Sequence, residues 1–479
     1  MCVEQLTARR QGSIIASGRL EQARWVGERA PLIRTPRSDP RMAGVRPARQ
    51  LQGAGALEHE PPPSRAIPLR RYDLMSMQVQ TTGPAPGAQL SIGAPAAART
   101  TAVQSVGGDR SDGGVAREIP LFTYEGVPDA EITEHPFTTD DKLGLRLARF
   151  KRAPSDDVVL LIHGLTTSTD MFIMPEHTNI VRYLHDHGFA DVWSVDFRMS
   201  NRLPYNLTPH RYSFDDIALF DFPAALAKMR EHIGDRRIHV ICHCLGSVSF
   251  MMGLFGGSIQ GVTSVIANSV GLTPRVPGWS KIKLRLAPFL VESVLSFPHL
   301  SPQWSNDPVL SRGKIFSKVV SAFHRECDVP ACHMLSLMWG TGWPALYSHE
   351  NLHDVTHRRG GDLYGATSMN YYRHVYKMVQ NDSRAVKYNP RDPRFSSLPD
   401  DYLSRAPEIQ TPVLFVTGAN NRVFTDSNIV CHQRLEKIVP GRHRLHVFPN
   451  YGHQDVFMGK NCDRDIFPTF VEYFRQHRR

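Results

Sequence analysis

The chain has 479 residues, a formal net charge of +10 and seven cysteines. That length accommodates one large domain plus a tail, and an odd number of scattered cysteines argues against a disulfide framework and for a reducing compartment. No uncharged apolar stretch reaches the roughly 18 residues a spanning helix needs, so the expectation is a cytoplasmic protein without membrane span.

From Met1 to Leu74 there are thirteen arginines, no lysine and seven acids, a surplus of six positive charges. Residues 1–115 are rich in Pro, Gly, Ala, Ser and Arg and lack sustained apolar periodicity, so this segment cannot bury enough surface to offset its ordering entropy and is expected to be a disordered tail. The basic pI is therefore not a property of the folded part. The arginines are dispersed without aromatic residues between them, so no nucleic-acid partner is expected. A lysine-free, arginine-rich composition fits translation of a GC-rich upstream region, with Met75 or Met77 as the true first residue. The short apolar run Ser13-Ile14-Ile15-Ala16 is too short for the core of a signal peptide.

Residues 118–479 carry strand-length apolar runs alternating with helical patterns, which predicts an α/β fold with a mostly parallel central sheet flanked by helices. Val158-Val159-Leu160-Leu161-Ile162 is the first such run and ends in His163-Gly164-Leu165-Thr166, where glycine lets backbone N–H groups approach a ligand. The next informative strand, Ile238 to His243, feeds Cys242-His243-Cys244-Leu245-Gly246, a small-x-nucleophile-x-small turn with cysteine in the nucleophile position. Such a turn strains its central residue and exposes that side chain at the top of the sheet, so Cys244 is the expected nucleophile. The Leu165 and Leu245 amides are expected to form an oxyanion hole.

Between the strand 262–267 and the strand beginning at Pro412 lies a segment too long for one crossover helix. A helical cap is expected over about 271–408, inserted before the last two strands. Its first part, Lys281 to Phe297, mixes leucine and valine with basic residues and is a candidate for peripheral membrane contact. The cap also holds Cys327, Cys332, His333, His349, His353 and His357. The match His349-Glu350-Asn351-Leu352-His353 has the His-Glu-x-x-His form of a zinc peptidase helix, with Glu350 as base. Buried, hydrogen-bonded histidines are the preferred reading of this cluster, and no metal is expected.

Pro412 to Gly418 predicts a strand followed by Gly418-Ala419-Asn420-Asn421, which places Asn421 where an acid normally orients the catalytic histidine. Asp426 is its rival, although Thr425-Asp426-Ser427 also reads as a helix N-cap. Leu445 to Asp455 is a short strand followed by a loop that delivers His453, the expected general base. The order nucleophile, third member, histidine is that of the α/β-hydrolases.

These residues carry a resemblance. His163-Gly164, Asp191-Val192-Trp193 with Asp196-Phe197-Arg198, His243 to Ser247, Cys332-His333, Leu352 with Thr356-His357, Gly418-Ala419 with Asn421, and Tyr451 to Asp455 with Gly459-Lys460 resemble the α/β-hydrolase domain that accompanies cholesterol-oxidase-like GMC flavin oxidoreductases. The resemblance covers nearly all of the chain from residue 118. It implies the α/β-hydrolase fold, Cys244 as nucleophile, His453 as base, Asn421 in the acid position, and a flavin oxidoreductase as partner. No Gly-x-Gly-x-x-Gly stands after a strand, so FAD is not implied and no cofactor is expected. The reading is an esterase or lipase-like acyl hydrolase acting through an acyl-enzyme on a lipid or sterol-type ester. The alternatives are an acyltransferase resembling the polyhydroxyalkanoate synthases and a non-catalytic partner of a flavin oxidoreductase.

Overall fold

The computed structural model describes residues 124–478 except Trp343. The tail expected over 1–115 lies outside the described residues.

Eight strands form one sheet: β1 (Glu131–Thr138), β2 (Gly144–Lys151), β3 (Asp157–Ile162), β4 (Asp191–Asp196), β5 (Arg237–His243), β6 (Ser264–Asn268), β7 (Val413–Gly418) and β8 (Arg444–Phe448), in the order β1-β2-β4-β3-β5-β6-β7-β8. β1 and β2 pair antiparallel with each other, and β2 with β4; every other pairing is parallel. The five central strands are buried along their whole length, save for Arg237 at the start of β5. That is why they read as continuous apolar runs, whereas the edge strand β1 alternates.

Helices α1 (Ile180–Asp186), α2 (Phe222–Ile233) and α3 (Cys244–Gly256) follow β3, β4 and β5 in turn. Between β6 and β7 come α4 (Gly278–Phe289), α5 (Arg312–Ala322), α6 (Pro330–Met338), α7 (Asp354–Arg358) and α8 (Met369–Gln380). α9 (Ser427–Ile438) and α10 (Phe467–Gln476) complete the helical layers. Two apolar cores sandwich the sheet. The helices between β6 and β7 have a core of their own, built on Val291, Trp304, Val320, Met334, Met338, Met369 and Tyr372.

The crossover from β3 leads to β4 on one side of it, and the crossover from β4 passes back over β3 to β5 on the other. The carboxyl ends of β3 and β5 therefore open side by side at the point where the strand order reverses, the usual place for a ligand in a doubly wound sheet. Among the described residues no helix is long and apolar enough to cross a membrane.

The three cap histidines at four-residue spacing do not share a helix. His349 sits in the single turn His349–Asn351, His353 stands just before α7, and only His357 lies within α7. The chain needs Leu352 and His353 in extended backbone to redirect itself, so the His-Glu-x-x-His spacing never becomes a helix face.

Candidate active site

Cys244 is the first residue of α3 and carries φ +54°, a left-handed conformation that a β-carbon makes costly. The strain persists because the turn is wedged between neighbours. A β-carbon on Gly246 would stand 2.0 Å from the His163 carbonyl oxygen, and one on Gly164 would stand 2.9 Å from Cys244 Cβ. Two glycines thus let the β3 and β5 turns touch backbone to backbone. The β3 turn is fixed in its own right: Thr166, at φ +63°, donates its N–H to Met199 O at 3.1 Å, and Asp196 at the end of β4 accepts from Thr169 N and Ser200 Oγ.

The consequence is that the N–H groups of Leu165 and Leu245 both face the Cys244 sulfur. Burial pushes this thiol up to about 12, and the two amides pull in the other direction. The Cys244 side chain is a neutral thiol rather than a thiolate.

His453 stands on the loop after β8, fully buried. Ligand-capable atoms of Cys244, His453 and His243 all lie within 4.8 Å of one another. Burial first, then the neighbouring His243, pushes the His453 imidazole well below its ordinary value, so it too is neutral. Neither of its ring nitrogens has a hydrogen-bond partner. Its backbone carbonyl accepts from Ser269 Oγ at 3.3 Å.

Asn421 keeps the position after β7 but turns its amide into its own loop. Its Oδ1 accepts the N–H groups of Val423 and Phe424, each at 3.0 Å, and its Nδ2 donates to Thr417 Oγ1 at 3.2 Å. This is the local turn that Asn side chains readily make, and it leaves no oxygen for His453. Asp426 stands at the N-cap position of α9 without capping it and pairs with Arg275 at 2.7 Å on the surface. The orienting contact expected from either residue is not made.

A network absent from the sequence reading holds the elbow to the His453 loop instead. Asn268 Nδ2 donates to His243 Nδ1 at 2.8 Å, so the neutral ring carries its proton on Nε2 and donates it to Gln454 Oε1 at 2.6 Å. Burial pushes His243 down to about 3. Asp455 accepts from Gly452 N at 2.8 Å and Asn351 Nδ2 at 2.6 Å, tying the same loop to the helical insertion. The signal in sequence was adjacency alone, since His243 and Gln454 each stand beside a residue singled out for chemistry.

A narrow pocket of about 10 Å³ opens on Cys244 and His453 and is walled by Leu165, Trp339, Leu346 and Tyr364. A second, of about 40 Å³, adjoins it along Trp339 and Val423 and runs under α4 and α8 past Leu284, Met338 and Tyr372. The lining of both is predominantly apolar.

The chain is 26% identical over 169 residues to sterol esterase 2 of Saccharomyces cerevisiae, a match that spans 31% of each protein. Among solved structures it is similar to an esterase of Pyrococcus furiosus, with 15% identity, 75% of this chain and 96% of that one covered, and a TM-score of 0.41. It is also similar to the acylaminoacyl peptidase of Pyrococcus horikoshii, with 12% identity, 73% and 42% coverage and a TM-score of 0.40. Residues 157–459 match the family described as alpha/beta hydrolase fold. With the β3 and β5 turns meeting at the head of a mostly parallel eight-stranded sheet, the chain belongs to the α/β-hydrolase fold family.

Proposed function

We propose that this protein is a carboxylic ester hydrolase that works through a thioester on Cys244. One observation carries the reading: a cysteine at positive φ between strand and helix, with two backbone amides facing its sulfur and an unpartnered imidazole within 4.8 Å. As the sulfur attacks the ester carbonyl carbon, its proton passes to a ring nitrogen of His453 and the carbonyl oxygen takes its negative charge between the Leu165 and Leu245 amides. Collapse breaks the C–O bond, and the departing alkoxide takes the proton from His453. Water then attacks the thioester with His453 accepting its proton; the acid leaves and the thiol is restored. A neutral thiol and a neutral imidazole suffice, because the proton moves in concert with sulfur attack. Asn421 serves this cycle by shaping the loop after β7 rather than by touching His453.

The apolar cavities favour a lipid or sterol-type acyl ester, as does the name of the yeast relative. The outer face of the cap fits delivery from an anionic lipid surface. Trp279, Ile282, Leu286 and Phe289 on α4 and Ile315, Val319 and Phe323 on or beside α5 are exposed, and residues 278–325 hold seven lysines and arginines against two acids. Sedimentation with phosphatidylglycerol vesicles, compared with Phe289→Glu and Phe323→Glu, tests that delivery; equal binding by both variants counts against it. The sequence resemblance supports a GMC flavin oxidoreductase as the neighbour that oxidises the released sterol.

Hydrolysis of p-nitrophenyl esters from acetate to palmitate, by wild type and Cys244→Ala, tests the proposal. We expect turnover that falls by about 10³-fold or more in the variant. Transfer of the acyl group to an added alcohol in preference to water would replace hydrolysis by acyl transfer. Equal inertness of both proteins across the series would refute the reading.

A further inference from the structure

We propose that Cys327, Cys332, His349 and His357 bind one zinc ion, which fastens the cap to the loop that carries His453. The four residues come from four separate places: the turn before α6, the first turn of α6, the turn His349–Asn351, and α7. Their donor atoms nevertheless all lie within 4.8 Å of one another. In a tetrahedral zinc site with Zn–S near 2.3 Å and Zn–N near 2.0 Å, donors stand about 3.3–3.8 Å apart, so adjustments of about 1 Å close the shell. One pair is already at that separation, with Cys332 Sγ 3.4 Å from His349 Nε2.

The surroundings fit a metal better than they fit four unligated side chains. The His349 and His357 rings lie 4.3 Å apart between centroids, and His357 Nε2 is buried with no hydrogen-bond partner. Both cysteines are free, so neither is spent on a disulfide. Two thiolates and two neutral imidazoles around a divalent ion give a site of zero net charge, which a partly buried position tolerates, and this donor set suits zinc. His333 is excluded as a ligand. Its Nδ1 accepts from Ser321 Oγ at 2.9 Å and its Nε2–H donates to Cys327 O at 3.0 Å, with Cys327 Sγ only 3.4 Å away. That N–H is placed to support a Cys327 thiolate from outside the shell, as second partners of metal ligands commonly do.

With four protein donors the shell has no open position, so the ion is structural and the peptidase reading of His349 to His353 has no place for a substrate or water. What it would hold is specific. Residues next to His349 dock onto the His453 loop: Asn351 Nδ2 donates to Asp455 and to Asn450 O, Gln454 N donates to Leu346 O, and Lys460 N donates to Asn351 O.

The test uses the full chain, purified in the presence of a phosphine reductant and without chelator. Zinc is counted by mass spectrometry of the elements, and cobalt(II) is titrated into the chelator-stripped protein. About one zinc per chain is expected in wild type and in His353→Ala, with a loss of about tenfold or more in Cys332→Ser and His357→Ala. Cobalt should give tetrahedral ligand-field bands and a thiolate-to-metal charge-transfer band in wild type. That spectrum reports two thiolates and decides the matter even if Cys332→Ser does not fold. Wild type that takes up neither metal overturns the proposal. So does undiminished zinc in both ligand variants, or a Cys327–Cys332 disulfide in freshly isolated protein.

Discussion

Gly246→Ala places a methyl group where the elbow has least room. The new β-carbon would stand 2.0 Å from the His163 carbonyl oxygen and 3.1 Å from both His163 C and Ile162 Cγ2. Two of these three contacts are backbone atoms at the end of a buried strand, which cannot rotate away as a side-chain tip would. Relief needs a separation of about 1 Å between the first turn of α3 and the end of β3. Overpacking of this kind costs about 1–3 kcal/mol, and the better helix propensity of alanine returns at most about 1 kcal/mol. The expected fall in melting temperature is on the order of 2–6 °C. The larger effect falls on chemistry, because the same displacement moves the Leu165 and Leu245 amides apart around the Cys244 sulfur. A misplacement of about 1 Å costs about 10²-fold in kcat/KM. Gly278→Ala is the control, since nothing stands within 4 Å of its added β-carbon. Calorimetry and p-nitrophenyl butyrate kinetics on the two variants give the comparison. If Gly246→Ala melts with wild type and keeps its kcat/KM, backbone contact between the two turns does not hold the site.

Burial holds His243 near 3 and His239 near 4 against an unfolded value of 6.5. The unfolded chain therefore binds these protons first, stability is full above 6.5, and it falls as pH drops from there towards the folded values. Together they remove roughly 3 kcal/mol at pH 5.5, and urea midpoints from pH 7.5 to 5 should show this, with a shallower slope in His239→Gln; a flat profile contradicts the burial of neutral imidazoles. Asn421→Ala leaves the Val423 and Phe424 amides without their acceptor and should cost about 1–3 kcal/mol in chemical denaturation, whereas Asn421→Asp retains the acceptor and should raise kcat no more than about twofold. A large gain in Asn421→Asp would mean that the side chain reaches His453 in turnover. Trp339→Ala merges the two cavities and should raise the kcat/KM of palmitate over acetate esters by about tenfold or more, read from the same chain-length series; an unchanged ratio places the acyl chain elsewhere.

The parts of this fold legible in the sequence are those set by local pattern. Val158 to Ile162 and Pro412 to Gly418 announce buried parallel strands because both faces must be apolar, and β3 and β7 fall on them. Cys244 between Cys242 and Gly246 announces the elbow because only small neighbours allow the turn. What was not legible depends on where a side chain points or on contacts across long gaps. Asn421 occupies the expected position, yet its amide can satisfy two backbone N–H groups two and three residues ahead, and that local option wins over a histidine on another loop. Asp426 is taken by Arg275, 151 positions away in the chain, a contact that no local pattern announces. His349, His353 and His357 suggest one helix face by spacing, but the chain turns twice between them, and the partners of His349 and His357 are cysteines 17 or more residues upstream. Their proximity is a property of how the cap folds back on itself. No periodicity encodes it.

The central claim is a covalent acyl-enzyme on Cys244. Rapid quench of the protein with a p-nitrophenyl ester, followed by intact mass and peptide mapping, tests it most directly. The account predicts one acyl group per chain, carried as a thioester on the peptide containing Cys244, formed within the burst of nitrophenol release and absent from Cys244→Ala. An acyl group on another residue, or steady turnover surviving in Cys244→Ala, would contradict it.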